Sequence, residues 1–138
     1  MKERAEHLVP LSDQAIETLN DLKEITGKKK WLFPSPRPDG RHLSEGAVRM
    51  ALRSMGYEKE DMTAHGFRSM CSTVLNEYEW PTDVIEHQLS HVDKNTIRRT
   101  YNRAQYMPQR KAMMQWWGDF ITAVRDRKDI PIKPNINL

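Results

Sequence analysis

Residues 64–93 read AHGFRSMCSTVLNEYEWPTDVIEHQLSHVD, a segment with two successive apolar periods and a break between them. Phe67, Met70, Cys71, Val74 and Leu75 recur every three or four residues, the spacing of a helix buried along one side. Thr63 or a neighbour is placed to open that helix. Pro81 then suits the first position of the next helix, where a missing N–H costs nothing. Val84, Ile85 and Leu89 supply the second stripe. The same segment holds three polar groups that packing does not require: His65, Arg68 and His91. His65 and Arg68 are three apart, so a helix puts them on one face.

The pattern continues on both sides. Upstream, Ser12 is placed to cap a helix with apolar residues at 15, 16, 19, 22 and 25, and Gly27 stops it. Residues 28–42, KKKWLFPSPRPDGRH, form a basic, proline-rich loop that Trp31, Leu32 and Phe33 tuck onto the core. Ser44 is expected to cap a further helix carrying Val48, Ala51, Leu52 and Met55, ended by Gly56. Downstream, Asp93 can cap a short helix that carries Tyr101. Pro108 opens a long one with Met113, Trp116, Trp117, Phe120, Ile121 and Val124 on one face. Before Ser12, His7, Val9 and Leu11 alternate with Leu8 and Pro10, as in an edge strand. The expected fold class is mainly α (α+β), with residues 1–127 as the folded part and 128–138 as an extended or flexible tail.

The 138 residues carry a net charge of +3, with 38% apolar and 30% charged side chains. A domain of this length buries roughly 70% of its unfolded surface, enough for a modest core. Cys71 is the one cysteine, so no internal disulfide forms, and a lone thiol fits a reducing compartment. No run approaches the ~18 apolar residues of a membrane span. Neither zinc-type Cys/His spacing nor a glycine-rich phosphate loop is present. Chemistry without metal or cofactor is the expectation.

Around Tyr101 lie Arg98, Arg99 and Arg103, and His91 stands ten residues before it. Taken singly, each feature has an ordinary structural reading. A His-x-x-Arg pair can be a helix-surface arrangement, a tyrosine a core residue, and a lysine run a solvated loop. Taken together, they suit phosphodiester chemistry, in which negative charge spreads over non-bridging oxygens and catalysis is positioning plus charge stabilisation. The Arg68 guanidinium matches phosphate geometry. His65 and His91 can hydrogen-bond an oxygen or take a phenolic proton. A positive setting lowers the cost of the Tyr101 phenolate, whose unperturbed pKa is about 10, and makes it a nucleophile.

In order and spacing, His65-Gly-Phe-Arg68, Leu89-Ser90-His91 and Tyr101 resemble the signature of the tyrosine recombinases, the phage integrase family. That signature is H-x-x-R, then L-G/S-H, then a tyrosine nine or ten residues on. The words HGFR, LSHVDKN, YNRA and QRKAMMQWW are similar to those of integrases from P4-like prophages and genomic islands. The resemblance covers about residues 1–122. It implies the family's catalytic-domain fold, with a remnant β-hairpin or strand at the N-terminus. It implies that Tyr101 attacks the scissile phosphate to form a 3′-phosphotyrosyl bond, that Arg68 clamps the phosphate, and that His65 and His91 bond its oxygens. Lys2, ahead of HLVPLS, matches the lysine that protonates the leaving 5′-oxygen. Lys28, Lys29, Lys30, Arg98, Arg99 and Arg103 are candidates for DNA-backbone contact.

The implied partner is double-stranded DNA at attachment sites, bound by a homotetramer of the full-length protein, with the chain alone a monomer. The implied setting is the bacterial cytoplasm at the nucleoid, and the implied role is prophage or genomic-island integration and excision. The family pattern also has an earlier arginine, before the hairpin, which these residues do not contain. The chain is therefore expected to be the C-terminal part of a longer integrase and to cleave DNA weakly by itself, by ~10²-fold or more. Three other readings stay open: a DNA-binding remnant without chemistry, a type IB topoisomerase relative, and an interaction module that docks its tail through Ile130, Ile132 and Ile136.

Overall fold

The computed structural model describes residues 7–37, 40–90 and 106–136. Five helices are present among them: α1 (Asp13–Thr26), α2 (Ala47–Ser54), α3 (Ala64–Glu77), α4 (Thr82–Gln88) and α5 (Met107–Asp126). The chain divides into two units, one of residues 1–14 with 71–138 and the other of residues 15–70.

The first unit holds the main apolar cluster. Cys71, Leu75, Trp80, Val84, Ile85, Leu89, Met113 and Trp116 form it, with Val74, Tyr106, Trp117, Phe120 and Ile136 packed against it. α4 lies on α5. Pro81 is the residue before α4, at φ −57° and ψ 126°, rather than its first helical residue. The proline serves the same end, because it presets the chain for entry without needing a donor. Pro108 sits in the first turn of α5. That helix closes through Arg127 at φ 55°, with the Lys128 N–H donating to Ala123 O at 2.9 Å and satisfying a terminal carbonyl. The predicted stripe of α5 divides. Met113 and Trp116 are buried and Trp117 and Phe120 half-buried, whereas Ile121 and Val124 are exposed.

The strand expected over residues 7–11 does not form: residues 7–12 have no ladder partner among the described residues. Side chains serve that backbone instead, as described below. The one bridge between described residues joins Pro34 to His42. The tail, residues 128–136, is non-helical and lies on its own unit. Trp116 Nε1 donates to Pro131 O at 2.9 Å, Lys133 Nζ donates to Glu79 O at 3.0 Å, and Ile136 joins the apolar cluster. Ile132 is 94% exposed.

In the second unit, the α1 stripe is only half-covered, and Ile25 is 79% exposed. α2 starts three residues after Ser44, with Gly46 at the cap position and a turn closed by Ala47 N–H to Ser44 O at 3.0 Å. Leu52 is its buried residue, and Val48 and Met55 remain exposed. Gly56 ends it at φ +91°, a conformation that favours glycine.

Candidate active site

Thr63 fixes the start of α3. Its hydroxyl accepts the Gly66 N–H at 2.9 Å, a side-chain cap that satisfies one of the free first-turn donors. His65 and Arg68 therefore stand in the first two turns, three residues apart on one face. His65 is exposed and Arg68 half-buried. This end of a helix carries partial positive charge, which adds to Arg68 in favouring an anion. Gly66, between them, packs closely against two side chains of the preceding turn. A Cβ there would stand 2.8 Å from Met62 Sδ and 3.3 Å from Thr63 Oγ1. The HGFR word thus combines two polar groups with a glycine that lies close over the turn beneath it.

The second motif begins where α4 ends. Leu89 N–H closes on Ile85 O at 2.9 Å and Ser90 N–H on His87 O at 3.2 Å. Ser90 has φ 51°, a left-handed conformation that glycine takes without strain and serine takes at some cost. The alternation of Gly and Ser in the L-G/S-H signature matches that backbone. Lys2, His91, Arg98, Arg99, Tyr101 and Arg103 lie outside the described residues, as does the helix expected from Asp93. His65 and Arg68 are thus the two expected catalytic residues that the structure places. Lys28, Lys29 and Lys30 are described and exposed.

A buried polar network behind the end of α4 was not anticipated. Arg110, on α5, is 0% exposed. Its Nε donates to Gln88 Oε1 at 2.8 Å, and its Nη2 donates to Leu8 O. His7 Nε2 donates to Gln88 O at 3.1 Å. Two backbone segments are thereby tied through one guanidinium: residues 7–8, and the last turn of α4 before the L-S-H word. Burial pushes the Arg110 pKa down. Its partners here are uncharged oxygens, and its Nη1 has none among the described residues. The signal for this network was present in the sequence, since Arg110 lies three residues before Met113 on the apolar face of α5.

A second network joins the start of α1 to α5. Gln115 Oε1 accepts the Asp13 N–H at 2.9 Å, Gln14 Nε2 donates to Asp119 Oδ1 at 2.6 Å, and Gln115 Nε2 donates to the same oxygen at 3.0 Å. In the second unit, a shallow groove of about 340 Å³ is lined by Trp31, Leu32, Phe33, His42, Leu43, Ser44, Ala47 and Val48. Among the described residues no group of His, Cys, Asp or Glu could hold a metal ion, and no helix is long and apolar enough to cross a membrane.

Comparison with known proteins gives the family. The model of the phage integrase family matches residues 1–107. The chain is 43% identical over 130 residues to the integrase of Enterobacteria phage P4, covering 92% of this chain and 30% of that protein. It is 44% identical over 123 residues to prophage integrase IntA of Escherichia coli K12, covering 89% of this chain and 30% of that protein. Against the integrase of Shigella phage Sf6 it is 43% identical over 122 residues, covering 88% of this chain and 31% of that protein. The chain therefore spans about a third of the length of these relatives, and no solved structure matches it. With 107 of its 138 residues matched by the family model and its motif residues in the family's order, the chain belongs to the phage integrase family.

Proposed function

We propose that the chain supplies the strand-cleaving part of a site-specific DNA recombinase that integrates and excises a prophage or genomic island. The observation that carries this reading is family membership together with His65 and Arg68 on one face at the start of α3. In the proposed reaction, the Tyr101 phenol loses its proton to His65 and its oxygen attacks the scissile phosphorus. A 3′-phosphotyrosyl bond forms as the bond to the 5′-oxygen breaks. Lys2 donates the proton that turns that oxygen into a free hydroxyl. Arg68 and His91 bond the non-bridging oxygens, where charge accumulates. One phosphoester replaces another, so no nucleotide or metal is consumed, and reversal by a new 5′-hydroxyl rejoins the strand.

The proposed partner is duplex DNA, with a homotetramer on it in the full-length protein. These 138 residues alone are expected to cleave slowly, since they lack the family's earlier arginine.

The test is covalent capture on a pool of nicked duplexes of random sequence, from which the short 5′-hydroxyl fragment diffuses away. An adduct that survives detergent and disappears in Tyr101→Phe, with DNA affinity retained, is the expected result. An adduct persisting in that variant means the nucleophile is another residue. DNA binding with no adduct even after prolonged incubation favours the non-catalytic DNA-binding reading.

A further inference from the structure

Positive charge is concentrated in two stretches of this chain, residues 27–43 and 94–111. Residues 27–43 contain five basic side chains against Asp39, a net of +4. Residues 94–111 contain six basic side chains and no acidic one, a net of +6, and the remaining 11 basic and 18 acidic residues leave −7.

The first segment is also built. The chain turns back on itself, with Ser35 N–H donating to Arg41 O and Leu43 N–H to Phe33 O, both at 2.8 Å, around the Pro34–His42 bridge. Trp31 Nε1 donates to Gly40 O at 2.9 Å, and its ring meets the His42 ring edge-on at 5.1 Å. At the base, the buried Thr26 hydroxyl shares its one hydrogen between Leu22 O at 3.1 Å and Leu32 O at 3.0 Å, which ties the segment to the last turn of α1. Prolines at 34 and 36 restrict the backbone further. Lys28, Lys29, Lys30, Arg37 and Arg41 are all exposed on this support.

We infer that residues 28–37 and 40–43 form a preorganised arm that grips the DNA phosphate backbone and supplies a substantial share of this chain's salt-dependent affinity, with Arg37 and Arg41 acting beside the three lysines. The inference deepens the reading above, because it takes DNA as the partner. A braced arm loses little conformational entropy on binding, so its charges act at low cost. Phosphate contacts fix position and carry no base information, so the arm grips any sequence.

The experiment measures affinity of the 138-residue chain for a random-sequence 24-base-pair duplex across a salt series. Each lost phosphate contact lowers the slope of log K against log salt by about 0.9. Replacing Lys28, Lys29, Lys30, Arg37 and Arg41 with Gln is expected to remove about 3 to 4.5 units of slope. A control with the same charge change, Lys23, Lys59, Lys111, Arg127 and Lys128 to Gln, is expected to remove less than about 1. Equal loss in both variants, or unchanged slope in the arm variant, overturns the inference, as does a wild-type chain that binds no duplex at low salt. Tyr101-dependent capture is scored separately, so the arm can fail while the recombinase reading stands, and the converse.

Discussion

Arg110 Nε and Gln88 Oε1 lie 2.8 Å apart, joining α5 to the last turn of α4 between two buried side chains. The fork also reaches Leu8 O, so one residue braces the start of the described chain against the turn that leads to Ser90. An arginine with no acidic partner among the described residues is a costly way to do this. Its geometry is the compensation: donors on separate nitrogens reach two segments at once, which an ammonium cannot copy.

Arg110→Met keeps the length of the side chain and removes the donors. Gln88 Oε1 then stays buried without its partner, a penalty of about 1–3 kcal/mol, partly offset by release of a desolvated charge. A net loss of about 2 kcal/mol is expected, seen as a fall of several degrees in Tm. A Tm within one degree of wild type would mean that the guanidinium does not brace this turn.

Gly118 is buried in α5 where the start of the first helix approaches. A Cβ there would stand 2.7 Å from Ser12 Oγ and 2.8 Å from Ser12 Cβ, and would also strike Gln14 Oε1. Alanine normally stabilises a helix interior over glycine by about 1 kcal/mol. Here overpacking of roughly 1–3 kcal/mol opposes it. Gly118→Ala is therefore expected to lower the urea midpoint, and a raised midpoint would refute the close approach.

Trp116 packs among Tyr78, Trp80 and Phe120, with centroids at 4.9, 5.7 and 5.3 Å, and holds the tail through Pro131 O. Trp116→Phe keeps an aromatic ring but loses the indole donor. The expected cost is about 1–2 kcal/mol, with faster tryptic cleavage after Lys128 than at other sites. Uniform acceleration at all sites would indicate global loosening and no specific hold on the tail.

The helices were legible because their signals are local. Phe67 to Leu75 carry their own period, Gly56 its left-handed turn, and Pro81 its entry geometry. The motif words HGFR and LSH were equally legible, since their residue types and order carry the family. What misled was the apolar pattern read as burial. Ile25, Val48, Met55 and Val124 keep the spacing of a buried face and remain exposed. Periodicity states which residues share a face and says nothing of whether a neighbour covers it. The strand at residues 7–11 failed for a related reason, because alternation marks a possible strand and only a paired neighbour makes one.

From the sequence by itself came the limits of the five described helices to within a few residues, the family, and the order of the proposed catalytic groups. Each depends on residues close along the chain or on the identity of short words. Only the tertiary structure decided that Arg110 reaches Leu8 O, 102 residues away, that Gln115 caps the Asp13 N–H across the same separation, and that Gly118 leaves room for Ser12. Those contacts depend on how closely distant segments approach, and the cost of a buried donor or an extra methyl group is set there, where local pattern does not reach.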